Sequence, residues 1–508
     1  MSAYDVVIKN VKVVRPGHDS VESLDVAVKD GKFAAIEANI DAGSAHEVVD
    51  GRGKHLFPGV VDVHQHWGIY NPLSEDADSE SRASAQGGVT SGITYIRTGA
   101  YYLNKSGPYR EIFPEILEAA DGRAFIDYGF HVAPILKQHI DEIPALLDMG
   151  VPSFKIFMFY GTHGLHGRST DQSKFLMMPE GDSYDYAHFE FVMRGIEKAR
   201  RDPKYALIKD QISLSLHCET AEIMRAYTKL VEEEGKLTGL EAYSASRPPH
   251  SEGLAITIAS YLAHETELPN INLLHLTSRK AIEAAMLMQG AFPHINFRRE
   301  VTVGHLLADC HSANLGGKVN PPLRPREDVE ALWDHLLAGN FDWVTSDHAC
   351  CKEETKFGDP KEDVFLAKSG FGGAEYLLAG MISEGRKRGL SYNRIAELVA
   401  KNPAERYGMS GKGNLVPGYD ADFVLVDDTV NYVVHAEDSL SAQEYTPFEG
   451  FELTAAVTDT YLRGPLYSAT ARSSVNREDS SLRDPATELI RTGPGQLSAP
   501  VRVRRCTQ

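Results

Sequence analysis

The sequence predicts an α/β protein: a (β/α)8 TIM barrel with a small β-sandwich formed from the N- and C-terminal segments. Three observations carry this. Between residues 56 and 405, short apolar runs alternate with helix-patterned stretches, the texture of parallel strands covered on both faces. Seven or eight such units favour a closed barrel over an open, doubly wound sheet. Before and after this region the chain reads as short alternating strands, and neither end is large enough to stand as a domain alone.

In the first fifty residues, Val6 and Ile8, Val11 and Val13, and Val26 and Val28 alternate with polar neighbours. Asp30-Gly31, between Val28 and Phe33, supplies the positive φ that a two-residue hairpin turn requires. Residues 1–55 are therefore read as the N-terminal part of the sandwich. Barrel strands are read at 56–63, 93–96, 125–134, 153–159, 212–216, 271–276 and 341–345. Helices are read between them at 111–120, 141–149, 187–201, 219–234, 253–265 and 328–338. Asn402-Pro403 closes the last helical pattern. Strand texture returns at 423–426, 430–434 and 453–462, so residues 406–471 are read as the C-terminal part of the sandwich. Residues 472–508, rich in Ser, Arg and Pro, read as an extended arm or a loose tail.

Composition narrows the function classes. With 52 Lys and Arg against 71 Asp and Glu, the net charge of −19 offers no basic excess for a nucleic-acid partner. No apolar run of about 18 residues is present, and the start, MSAYDVVIKN, lacks the profile of a signal peptide. The expectation is a cytoplasmic protein with no membrane partner. The five cysteines are odd in number and show no Cys-x-x-Cys spacing, which argues against a disulfide framework or a thiolate zinc site.

The chemistry lies in the 20 histidines and their neighbours. His64-Gln65-His66 directly follows the strand Gly59–Val63, and residues two apart on a strand face one side. Two imidazoles on one rigid edge suit zinc or a similar ion, although such a pair also arises by chance among so many histidines. Four more residues stand at or near proposed strand ends, where barrel active sites are built. They are Lys155 inside the apolar run 154–159, His217 after 213–216, His275 after Leu274, and Asp347 after 343–346. Singly, each has an ordinary structural explanation: a lysine reaching the rim, a satisfied histidine, a helix-capping aspartate. Five strand ends that each present a ligand type are hard to obtain independently.

The order His-x-His, Lys, His, His, Asp resembles the amidohydrolase superfamily, in its dihydropyrimidinase, hydantoinase and allantoinase branch. The resemblance is carried by Pro58–His66, Phe154–Tyr160, Leu216–Glu219, Ser246–Pro249, Leu274–Ser278, Asn320–Arg324, Thr345–Ala349, Gly372–Glu375, Gly418–Phe423 and Tyr445–Gly450. It implies two divalent metal ions, usually Zn2+, bridged by a hydroxide and by a CO2-derived carbamate on Lys155. His64, His66 and Asp347 would hold the buried ion, and His217 and His275 the exposed one. Asp347 would also carry the proton from the attacking hydroxide to the leaving nitrogen, and Tyr160 would hydrogen-bond the developing oxyanion. Asn320 stands where hydantoinases usually carry serine and hold the ring by its backbone, and Ser369 aligns loosely with an asparagine that uses its carbonyl.

The departures matter as well. Trp67-Gly68 replaces the arginine with which dihydroorotases grip a carboxylate. The stretch Gly161–Arg168 is unlike the family pattern; it could form a lid in which His163, His166 and Arg168 touch substrate, or a solvated loop. Trp67, Tyr70, Tyr101 and Tyr102 could line a pocket or simply pack. The expected activity is hydrolysis of a cyclic amide: a hydantoin, a dihydropyrimidine or a related imide or lactam. The alternatives are allantoin or another amide or cyclic urea, and a non-catalytic scaffold relative. The family is usually oligomeric, so a homo-oligomer, tetramer or dimer, is expected, with the C-terminal arm a candidate strap.

Overall fold

The structure is a computed structural model that describes residues 3–161, 176–464 and 466–467. Residues 162–168 of the glycine-rich stretch, with His163, His166 and Arg168, and the whole of 472–508 lie outside the described residues.

The N-terminal segment forms β1 (Tyr4–Val13), β2 (Glu22–Lys29), β3 (Lys32–Glu37), β4 (Ala45–Asp50) and β5 (His55–Pro58). The β2–β3 hairpin turns at Asp30-Gly31, with φ of +50° and +74°, as the sequence required. The barrel strands follow: β6 (Val60–Gln65), β7 (Val89–Arg97), β8 (Asp127–Ala133), β9 (Ser153–Phe157), β10 (Ser213–His217), β11 (Asn270–Leu273), β12 (Asn296–Thr302) and β13 (Trp343–Thr345). They pair in chain order, all parallel. The circle is drawn together where the amide of His66 donates to the carbonyl of His348 at 2.8 Å, beside a parallel bridge from Gln65 to His348. Every strand except β12 is buried along its length, which is why their sequences are near-continuous apolar runs. The protein is thus a (β/α)8 barrel with a second, smaller β-domain.

That β-domain is completed by β14 (Phe423–Asp427), β17 (Ala456–Tyr461) and β18 (Leu466–Tyr467) from the other end of the chain. Its strands run β18-β17-β14-β5-β1-β2-β3, with β4 on the edge of β1. Phe33 on β3 and Phe423 on β14 are four strands apart in that order, yet their rings lie 6.0 Å apart. At about 4.8 Å per strand a flat sheet would separate them by almost 20 Å, so the sheet folds onto itself and becomes its own partner layer. Hydrogen bonds from Phe33 N to Tyr419 O (3.0 Å) and from Gly418 N to Phe33 O (2.8 Å) close the fold. Val6, Ile8, Val26, Val28 and Leu425 fill the space within.

Three sequence expectations need correction. The run 56–63 is two strands: β5 pairs with β1 and β14 in the small sheet, and β6 opens the barrel. Gly59 joins them where a Cβ would lie 2.1 Å from the Thr90 hydroxyl, so only glycine passes. Segment 430–434 does not join the small sheet. There β15 (Tyr432–Val433) pairs with β16 (Glu452–Leu453) as a separate ribbon, because Val434 and Leu453 bury in the barrel's own apolar cluster. Strand β12 was not anticipated at all: NFRREVT carries Arg298, Arg299 and Glu300 and has no apolar run.

Candidate active site

All six residues of metal-ligand type come together at the C-terminal mouth of the barrel. His64 is on β6 and His66 just beyond it; Lys155 is within β9; His217 ends β10; His275 and Asp347 each stand two residues past a strand, β11 and β13. His275 and Asp347 have φ of +35° and +55°, a region that non-glycine residues rarely occupy and that concentrates at functional positions.

Outer partners set the rings. His64 Nδ1 lies 2.6 Å from Glu300 Oε1, and His64 Nε2 lies 3.0 Å from Asp347 Oδ1 and 3.4 Å from Lys155 Nζ. His66 Nδ1 meets the Tyr102 hydroxyl at 2.6 Å, and its Nε2 lies 3.1 Å from the same Asp347 oxygen. His217 Nε2 is held by Glu219 at 2.7 Å, and Glu219 is clasped in turn by both ends of the Arg247 guanidinium. The His217 and His275 rings are 4.3 Å apart, edge to face. His275 Nδ1 is a buried polar atom with no hydrogen-bond partner among the described residues. Ligand atoms of His64, His275 and Asp347 all lie within 4.8 Å of one another.

Electrostatics agree with a metal-binding role. Burial pushes His66 and His217 down to about 4, against the pull of Asp347 and Glu219, so both imidazoles are neutral near pH 7. Neutral imidazole is the form that binds metal. Burial lowers Lys155 to about 7, opposed by Asp347 and Glu300, and its Nζ sits 4.0 Å above the Tyr95 ring. Burial would raise the Asp347 carboxyl, but His64, His66 and Lys155 outweigh it and hold the group well below the usual carboxylate range. The donor set and the orphaned His275 nitrogen therefore fit a bound cation. A second cluster of ligand types, Asp76, Glu80 and Cys350, is different. Glu80 is already taken by His348 at 2.7 Å and Ser441 at 2.6 Å, so the cluster braces the segment after Asp347.

The mouth opens into a cavity lined in part by Tyr102, Phe159, Tyr160, Asn320 and Ser369, beside the ligand-type residues. Tyr160 stacks on Phe157 (4.7 Å, 16°) and accepts a hydrogen bond from Arg97 Nε at 3.2 Å. Burial raises its phenol above the ordinary value in spite of Arg97, so it remains a proton donor. Asn320 Oδ1 accepts from the hydroxyls of Tyr243 and of Ser369, the latter at 3.2 Å. The Ser369 carbonyl accepts from the Tyr70 hydroxyl, leaving one lone pair of that oxygen for another donor. Of the four aromatics in the first loops, Tyr102 reaches the cavity, whereas Trp67 packs in the core against Tyr128. Sequence reasoning missed Glu300, Glu219, Arg247 and Tyr243. The Glu219 and Arg247 positions lay inside the quoted motifs, but Glu300 lay in the unrecognised strand.

Comparison with known proteins agrees with this arrangement. The model of the amidohydrolase family matches residues 55–466. An allantoinase of Rubrobacter xylanophilus is 31% identical over 469 residues, covering 91% of this chain and 94% of the relative. An allantoinase of Desulfitobacterium hafniense is 30% identical over 471 residues, covering 91% and 95%. Among solved structures, the L-hydantoinase (dihydropyrimidinase) of Arthrobacter aurescens superposes with a TM-score of 0.77 at 27% identity, covering 93% of this chain and 98% of that one. Among the described residues, no helix is long and apolar enough to cross a membrane. With the barrel, the second β-domain and this set of relatives, the chain belongs to the amidohydrolase family, in the branch of the cyclic amidohydrolases.

Proposed function

We propose that the chain is a binuclear metal-dependent hydrolase that opens a cyclic ureide, the ring class shared by hydantoins, dihydropyrimidines and allantoin. The observation that carries this is Lys155: a wholly buried amine, lowered to about 7, set between the His64 ring and the apolar β9 strand. An ammonium cannot bind a cation, but the neutral amine adds CO2, forming an N–C bond and releasing one proton, and so becomes a carboxylate on a long stem. In this reading the carboxylate so formed on Lys155 would be available to both halves of the centre. His64, His66 and Asp347 would hold one ion, and His217 and His275 would hold the other. When bound, a pair of divalent ions, zinc by default for these nitrogen and oxygen donors, supplies hydroxide at neutral pH and polarises the scissile carbonyl.

The chain's own residues do the rest. Asn320 and Ser369 seat the ring on one side of the cavity, with the scissile carbonyl toward Tyr160. Tyr160, kept protonated by burial, donates to the oxygen on which negative charge develops. Asp347 accepts the proton of the attacking water and returns it to the leaving nitrogen. Overall the ring C–N bond breaks, the water's hydroxyl adds to the carbonyl carbon and its proton ends on nitrogen, giving an open ureido acid.

The two relatives named allantoinase favour allantoin as the first ring to test. The decisive experiment combines metal analysis with kcat/KM on allantoin, hydantoin, dihydrouracil and a simple lactam. The expected result is about two divalent ions per chain and turnover of at least one ureide that a chelator abolishes. Metal-free protein with chelator-insensitive activity, or no turnover across the panel after zinc loading, overturns the proposal.

A further inference from the structure

Resting on the ring-amide reading above, we infer that Lys318 and Lys356 are positioning residues: together they clasp the segment 367–370 and hold Ser369 in place as one wall of the substrate cavity. The connection that leaves β13 carries Asp347, Lys356 and Ser369 in turn. From residue 366 to 370 it forms neither helix nor strand, and Gly370 turns it at φ +106°. Such backbone has no ladder of its own, so its buried polar groups need partners from elsewhere. The two lysines provide them. Lys356 receives the Lys368 amide on its carbonyl at 2.7 Å, and its Nζ donates to the Gly370 carbonyl at 2.6 Å. Lys318 receives the Gly370 amide on its carbonyl at 2.9 Å, and its Nζ donates to the Ala367 carbonyl at 2.6 Å. Lys356 Nζ also donates to the Lys318 carbonyl at 3.0 Å, which locks the halves of the clasp together. Backbone groups on both sides of Ser369 are thus tied to the same two residues.

Both lysine side chains are wholly buried, a costly place for an amine. Packing alone does not require it, because methionine fills a similar space. What methionine lacks is a donor on a long stem that reaches carbonyls in irregular backbone. Burial lowers both amines, Lys356 to about 7, yet even a neutral amine keeps two protons, so the clasp does not depend on their charge. Lys318 Nζ is further placed by the Tyr243 ring, 4.6 Å from its centroid. Val319 and Asn320, next to Lys318, and Ser369 and Gly370, inside the clasp, all line the cavity. The imidazoles His64, His66 and His217 are held separately, by Glu300, Tyr102 and Glu219. Loosening the clasp therefore moves the wall that seats the ring and leaves the metal-ligand side in place.

The test uses zinc-loaded wild type, Lys356→Met and Lys318→Met with allantoin, hydantoin and dihydrouracil, and follows metal content and amide hydrogen exchange beside the kinetics. Lys356→Met strands two carbonyls and is expected to raise KM for the best ring about tenfold, with a smaller change in kcat and no loss of metal. Lys318→Met strands one carbonyl and is expected to raise KM about threefold. Exchange quickens at 317–320 and 366–371 but not in β6 or β13. Unchanged KM in both variants, or kcat and metal falling together with KM, would make the lysines packing residues and overturn the inference. Failure of both variants to fold overturns it as well; if only one folds, that one decides by the same criteria. A wild type inert to all three rings counts against the ring-amide reading instead. In that event hydrogen exchange still decides: faster exchange confined to the two segments supports the clasp, and unchanged or protein-wide exchange overturns it.

Discussion

The two histidine pairs of the site are built differently. His64 and His66 come from one strand edge, each with Nδ1 clamped by a buried partner and both with Nε2 on a single Asp347 oxygen. His217 and His275 come from neighbouring strands. His217 is clamped by Glu219, but His275 Nδ1 is buried with no partner among the described residues and its backbone sits at φ +35°. The protein completes the first pair by itself, whereas the second leaves an unsatisfied nitrogen that a bound cation would relieve. The first pair also has Asp347 beside it, whereas in the proposed centre the second would have only the shared Lys155. The largest expected effect follows: gradual chelation removes the ion at His217 and His275 first, and activity disappears with that first ion. Metal content measured beside residual activity checks this. Loss of both ions in one step, or activity that survives the first, would erase the distinction.

The first pair depends on Glu300, which holds His64 Nδ1 at 2.6 Å, the backbone amide of His275 at 3.1 Å and the Trp343 indole at 2.9 Å. Glu300→Gln keeps the shape and removes the charge that orients His64 and strengthens it as a ligand. Metal affinity or activity is expected to fall roughly 10- to 100-fold, the range of such outer partners. Competitive metal titration of the purified variant reads this directly. Because Glu300 touches both pairs, an unequal loss of the two ions would show which contact dominates.

Glu300 also shows where sequence reading stops. Histidines two apart at a strand end declare their common face by the strand period alone, and the structure brings both Nε2 atoms to one oxygen. Lys155 was legible because a cation inside an apolar strand is conspicuous. Glu300 was invisible because β12 breaks the rule that revealed the other strands. Arg298 and Arg299 face a carboxylate, Asp342, at the barrel's N-terminal side, and Glu300 turns inward beneath the site. A barrel strand whose polar residues are satisfied by partners distant in sequence has no apolar run to detect. The Tyr243–Asn320 contact was hidden for a related reason: 77 residues separate its partners, and no local pattern encodes their meeting. The self-closing small sheet was legible only as two insufficient halves; the contact of Phe33 with Phe423 completes it.

The smallest expected effect concerns the other clamp of the first pair. Tyr102 offers His66 one hydroxyl at 2.6 Å, neutral where Glu300 is charged, and its ring is also held by the Arg97 guanidinium, 4.9 Å from its centroid. Tyr102→Phe keeps that packing and removes one hydrogen bond, about 1 kcal/mol. Metal affinity should then fall only about fivefold, with the His64 side untouched. Tyr102 also lines the cavity, however, so the same substitution separates two roles. If the hydroxyl serves only as a clamp, excess metal restores wild-type kcat. If saturating metal leaves kcat depressed as far as Glu300→Gln does, the hydroxyl acts on the substrate, and the first pair is less complete without a ligand than its geometry indicates.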